Sequence, residues 1–244
     1  MTVERLRPYA VNIFAAMSAL AARLGAVNLG QGFPDEDGPP AMLEAARQAI
    51  SDGVNQYPPG LGILELREAI AGQRRRRYGM EFDPETEVLV SVGASEAIAG
   101  AVLGLVEQGS EVLVLEPFFD TYAPVIAMAG SQRVAVPLVP DGRGFTLDVD
   151  AVRAAITART RAIIINSPHN PTGMVLTDAE LRALAAIAVD ADLLVISDEV
   201  YEHLTFDGRE HRPIATYPGM ARRTVTISSA AKMFNCTGWK IGWA

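Results

Sequence analysis

The chain has 244 residues, 21 Lys+Arg against 29 Asp+Glu for a net charge of −8, and 49% hydrophobic residues. That is enough chain to bury one large core or two modest ones, and the negative balance excludes a general nucleic-acid binder or a protein held on anionic membranes by basic patches. The longest apolar run, residues 97–106, has ten residues and two glycines, well short of the ~20 that a bilayer span needs.

In chain order, the region 12–24 reads as an alanine-rich amphipathic helix, followed by a loop rich in turn residues through Gly30, Gly32, Pro34, Gly38, Pro39 and Pro40. Arg74 to Arg77 end a helical segment, where positive charge suits the helix C-terminus. Strands are predicted at Glu87–Val92, Glu111–Leu115, Arg133–Val139, Arg161–Asn166, Leu193–Asp198 and Thr224–Ser229. Between the first two, residues 96–106 carry a helical apolar stripe with Gly109 as its C-cap, and Thr177 with Glu180 can form a capping box ahead of Leu181, Leu184 and Ile187. Alternation of strand and helix predicts an α/β fold, a mostly parallel sheet sandwiched by helices. The apolar stretch 239–244 is strand-like and stops without a cap or turn.

Such sheets bind ligands outside the C-terminal ends of their strands. Polar residues cluster there at Gly93-Ala94-Ser95-Glu96, Asn166 through Gly173, Ser197 through Tyr201, and Ser228 through Lys232. Of the 21 basic residues only two are lysines, Lys232 and Lys240, both near the end of the chain. Taken singly, each feature has an ordinary reading: Asp198 as a turn residue, Asn170-Pro171-Thr172-Gly173 as a turn, Lys232 as a solvated charge, Tyr201 as packing. Taken together they offer an amine for a Schiff base, a carboxylate for a ring nitrogen, and donors for a phenolate and a phosphate, which is the inventory pyridoxal phosphate requires. Three histidines without ligand spacing and a single Cys236 imply no metal site and no disulfide framework. With no secretory signal at the start, a cytoplasmic protein is expected.

The blocks 166–173, 197–201 and 228–232 with Thr237-Gly238-Trp239-Lys240 resemble the signatures of the fold type I, class I/II aminotransferases. Residues 28–35 and Asn55-Gln56-Tyr57 extend the likeness over essentially the whole chain, toward the branch of kynurenine, glutamine and methionine aminotransferases. Within that branch the wording most resembles the group assigned to N-succinyldiaminopimelate in lysine biosynthesis. The resemblance implies that Lys232 forms the Schiff base and then moves the substrate's α-proton, that Asp198 pairs with the pyridinium nitrogen, and that Asn170 and Tyr201 hydrogen-bond the phenolate oxygen. It implies Phe119 and Val200 on the two ring faces, and Ala94, Ser95, Ser229 and Lys240 at the phosphate. It further implies that Tyr57 reaches the phosphate of a neighbouring subunit, so that a homodimer is expected, that Gly32 lies beside the substrate carboxylate, and that Asn166 and Asn170 border the substrate.

The same resemblance divides the chain into an arm with part of a small domain (1–40) and a cofactor-binding large domain (41–244). The family continues into a further small domain carrying the arginine that clamps the substrate carboxylate, so weak or no activity is expected of this chain alone. Met174 stands where many relatives carry Lys and is expected to point outward. Other readings remain open at this level: transamination of kynurenine, glutamine or methionine, β-elimination from cysteine conjugates, and a cofactor-binding fragment without catalysis.

Overall fold

The computed structural model describes residues 2–32 and 34–244; Phe33, within one of the blocks quoted above, lies outside the described residues. A short 3-10 turn at Glu4–Tyr9 precedes α1 (Ile13–Leu24), which starts on Asn12, whose side chain accepts from the Ala15 amide. None of the twelve α1 residues is buried. Next come α2 (Pro40–Ser51) and α3 (Leu64–Tyr78), the latter closed by Gly79 in the left-handed conformation.

From there strands and helices alternate: β1 (Val90–Val92), α4 (Gly93–Leu105), β2 (Glu111–Glu116), α5 (Tyr122–Met128) and β3 (Gln132–Pro137). A small hairpin of β4 (Val139–Pro140) and β5 (Phe145–Thr146) leads to α6 (Val149–Ala154), β6 (Thr160–Asn166), α7 (Asp178–Asp190) and β7 (Leu194–Asp198). The chain ends with β8 (Thr224–Ser229), α8 (Ala230–Met233) and β9 (Ile241–Trp243). Among the described residues the main sheet runs β1-β9-β8-β7-β6-β2-β3. β3, β2, β6, β7 and β8 are mutually parallel, and β9 runs antiparallel to both neighbours.

Both faces of the central strands are covered, so their sequences are continuous apolar runs rather than alternating ones. Leu113, Leu115, Ile163, Ile165 and Val195 face α7, where they meet Leu181, Leu184 and Ile187. Val112, Val114, Ala162, Ile164 and Ile196 face the other way, onto Ala97, Ile98, Ala101 and Val102 of α4 and Tyr122, Val125 and Ile126 of α5. The predicted capping box of α7 is present: Thr177 accepts from the Glu180 amide while the Glu180 carboxylate accepts from the Thr177 amide.

Three expectations need correction, for Gly109, Met174 and the terminal stretch. The helix after β1 begins at Gly93 and ends at Leu105, so Gly109 (φ +82°) serves a turn rather than the C-cap. Met174 points inward, packing beside Leu176 and Leu181, which explains why an uncharged side chain stands there. Arg74, unlike the three arginines that follow it, is buried at 2% exposed. The terminal stretch forms a 3-10 turn at Thr237–Trp239 before β9, not one continuous strand.

One close approach sets the geometry near the site. β1 passes into α4 through Gly93 at φ +76°, a left-handed value that glycine takes without strain. A Cβ built on Gly242, opposite Ser91 in the sheet, would lie 2.3 Å from the Gly93 carbonyl carbon and 2.4 Å from the Ala94 nitrogen. Both obstacles are backbone and cannot swing aside. Gly242→Ala is expected to lower stability by about 2 kcal/mol or more, read from the urea midpoint at unchanged slope; a shift within error would show that β9 and α4 are not in this register.

Candidate active site

Asp198 closes β7 at the C-terminal edge of the sheet and is 3% exposed. The hydroxyl of Tyr122, buried at the start of α5, donates to its Oδ2 at 2.6 Å, and the Val200 amide donates to Oδ1 at 3.3 Å. Burial pushes this carboxyl up to about 6 against the pull of both donors; the Glu199 charge adds to the rise and the Lys232 charge opposes it.

Asn166, at the matching end of β6, spends its side chain on backbone. Its Nδ2 donates to the Asp198 carbonyl at 2.9 Å and its Oδ1 accepts from the Asn170 amide at 2.6 Å. The loop carrying Asn170 is thus tied to the strand end carrying Asp198, while the Asn170 amide side chain has no hydrogen-bond partner among the described residues. His169 is buried and kept neutral, its pKa lowered to about 4 by desolvation, with Nδ1 2.8 Å from the Thr172 hydroxyl.

β8 delivers Lys232 from the adjacent strand. Its Nζ lies 5.6 Å from the centre of the Tyr201 ring. Burial lowers the amine's pKa, the like charge of Lys240 lowers it further, and Asp198 opposes both. The two lysines of the chain are therefore electrostatic neighbours. Ser229 caps α8: its hydroxyl accepts from the Ala231 amide at 3.2 Å and donates to the Ile241 carbonyl at 3.0 Å.

On the same side, the N-terminus of α4 has no side-chain cap from Val92, and the Glu96 carboxylate turns back to the Val92 amide. The first-turn amides of Ala94 and Ser95 have no intrahelical partners and carry the positive end of the helix dipole. Phe119 stands edge-on to Tyr122 with ring centres 5.8 Å apart. Gly32 and Tyr57 are not drawn in: both are on exposed chain, Tyr57 entirely so at 100%.

Sequence reasoning missed Tyr122, because nothing about a tyrosine in an alanine-rich helix announces a contact with a residue 76 positions away. The donor set fits pyridoxal phosphate. A buried carboxylate lacking an ion pair can meet a ring cation, a desolvated amine can meet an aldehyde, and an uncapped helix N-terminus beside a lysine can meet a phosphate.

These features define an α/β protein with a lysine, a buried acid and an uncapped helix N-terminus at one edge of its sheet. Residues 25–244 match the family described as aminotransferase class I and II. Over all 244 residues the chain is 73% identical to a Mycobacterium tuberculosis protein named probable N-succinyldiaminopimelate aminotransferase, of which it covers 62%. It is 42% identical to bovine kynurenine–oxoglutarate transaminase 3 over 99% of its own length and 55% of that protein. The solved structure of the M. tuberculosis N-succinyldiaminopimelate aminotransferase superposes with a TM-score of 0.98 at 72% identity, covering 100% of this chain and 64% of that one. The chain belongs to the class I and II aminotransferases, a family of pyridoxal-phosphate enzymes, and spans less than two thirds of the length of these relatives. Among the described residues no helix is long and apolar enough to cross a membrane.

A carboxyl raised above its ordinary 3.8 contributes stability below that value and loses it as pH rises through about 6. Asp198→Asn is therefore expected to stabilise the ligand-free chain by about 1–3 kcal/mol near pH 7.5 and to change little near pH 3. Urea titrations at both pH values check this; an equal effect at both would show that the carboxylate is not strained by burial.

Proposed function

We propose that this chain supplies the cofactor-binding part of an aminotransferase that moves an amino group from an amino acid to a 2-oxo acid, with glutamate and 2-oxoglutarate as one pair. The observation that carries the reading is the buried Asp198 carboxylate facing a desolvated Lys232 amine across the ends of two adjacent parallel strands. Pyridoxal phosphate, when bound, supplies an electron-withdrawing ring that stabilises negative charge on the substrate's α-carbon.

The residues then divide the work. Asp198, kept anionic by contact with a ring cation, holds a proton on the ring nitrogen. Lys232 Nζ, its pKa lowered by burial and by the Lys240 charge, would move the proton between the substrate's Cα and the cofactor's C4′ carbon. Asn170 Nδ2 and the Tyr201 hydroxyl donate toward the phenolate oxygen. Phe119 and Val200 bracket the ring, while Ala94, Ser95, Ser229 and Lys240 receive the phosphate. Asn166 acts by fixing the Asp198 and Asn170 backbones, and with Gly32 borders the substrate. We assign residues 1–40 to an arm with part of a small domain and 41–244 to the large domain.

The substrate reading is N-succinyl-LL-2,6-diaminopimelate, in lysine biosynthesis. It is supported by 73% identity to the M. tuberculosis protein against 42% for the kynurenine enzyme. The fully exposed Tyr57 supports a homodimer in which each subunit covers the other's tyrosine and receives it at the phosphate. A cytoplasmic location accords with this biosynthetic role.

Mixing the chain with pyridoxal phosphate is expected to give a visible Schiff-base band that Lys232→Ala abolishes; a band that survives the substitution would contradict the assignment. In a protein of the relatives' full length, kcat/KM for the succinylated substrate is expected to exceed that for kynurenine or methionine by about tenfold or more. The reverse order would overturn the substrate while leaving the mechanism standing.

A further inference from the structure

Behind the site lies a second buried charged cluster that the proposed chemistry does not use. Arg74 Nη1, on α3, donates to Glu199 Oε2 at 2.9 Å, and Nη2 lies 3.2 Å from Glu202 Oε1, close enough for charge attraction but not aligned for a hydrogen bond. Glu199 also meets His211 Nε2 at 3.1 Å and the Ser197 hydroxyl at 2.9 Å. Glu202 accepts from the Ser228 hydroxyl at 2.7 Å and the Tyr78 hydroxyl at 2.6 Å. Burial would raise the Glu199 pKa, yet the His211 hydrogen bond and the Arg74 charge outweigh it and hold the group below its ordinary value.

The cluster's place in the chain gives it leverage. Glu199 follows Asp198 directly, and Glu202 follows Tyr201. Between them, Val200 and Tyr201 are half-buried on the side of the proposed ring site, while the two glutamates are 1% and 0% exposed on the other. The turn's own backbone bonds are few: Glu202 to the Glu199 carbonyl at 2.9 Å and Leu204 to the Tyr201 carbonyl at 2.8 Å. Stability alone does not account for such a cluster, because apolar residues of similar volume often serve a buried ion pair's place as well or better.

Resting on the function proposed above, we infer that Arg74 is a positioning residue: by holding Glu199 and Glu202 from behind, it fixes the turn that presents Val200 and Tyr201 beside Asp198. α3 suits this task, since Ile70 and Ala71 on the same helix pack against Trp243 of β9, one residue beyond Gly242. One helix thus references both the Tyr201 turn and the strand that follows Lys240.

The test is a double-substitution cycle on the cofactor-loaded chain, reading the pH midpoint of the visible band. The charged groups bearing on Lys232 are Lys240 and Asp198, with the Tyr201 ring beside the amine; as a donor to the phenolate the Tyr201 hydroxyl would hold the midpoint down, so Tyr201→Phe is expected to raise it. Arg74→Met is expected to raise it too, by about one pH unit, with Arg74→Lys restoring part of the shift and Arg74→Met/Tyr201→Phe going no further than Tyr201→Phe alone. A lowered melting temperature with an unmoved midpoint would reduce Arg74 to a structural ion pair, and additive shifts would show that it does not act through Tyr201; either overturns the inference. If Arg74→Met does not fold, Glu202→Gln carries the same cycle. If the unsubstituted chain forms no band, the function reading fails instead, and hydrogen exchange on the ligand-free chain decides. The Glu202 and Leu204 amides should then exchange about tenfold faster in Arg74→Lys relative to Val195 and Ile196 in β7, and unchanged rates would overturn the clamp.

Discussion

A carboxylate taken almost entirely out of water is costly unless something compensates it, and Asp198 is such a group. Much of the surrounding structure can be understood as the means by which that cost is borne. Tyr122 and the Val200 amide each serve one oxygen, Asn166 holds the strand end that carries the residue, and Lys232 contributes an opposing charge from the next strand. The compensation is incomplete, since the carboxyl still sits near 6. The remainder is what a cation at the ring position would supply, which makes the same imbalance a source of binding energy.

The second constraint is steric. Parallel strands end together, so a site at their C-terminal edge draws side chains from segments far apart in sequence. Bringing β9 against the first turn of α4 requires backbone to touch backbone at Gly242, where a side chain would prevent it, while Gly93 supplies the left-handed turn at φ +76°. The first-turn amides of α4, the amine and the acid are thereby placed by glycine contacts and sheet register rather than by flexible loops.

Much of this could be read from the sequence. The strand at Thr224–Ser229 and the capping box at Thr177 were fixed by local pattern, and the Asp198, Tyr201 and Lys232 blocks each follow an apolar run, which put them on one edge. What could not be read was which side of an element faces inward when its composition is misleading. Met174 was expected to point outward, and Arg74 opens a run of four arginines at a helix C-terminus. Both are buried for a tertiary reason, a core wall for one and two glutamates more than a hundred positions away for the other. Tyr57 and Gly32 mark the opposite case, in which the resemblance assigns a role to residues that this chain leaves uncovered.

The central claim is that one particular amine meets the cofactor. Because the chain contains only two lysines, borohydride reduction of the chain with pyridoxal phosphate, followed by peptide mass mapping, tests it directly. The account predicts that the phosphopyridoxyl mass is found on the peptide containing Lys232 and is absent from Lys240. Modification of Lys240, or equal modification of both, would contradict it.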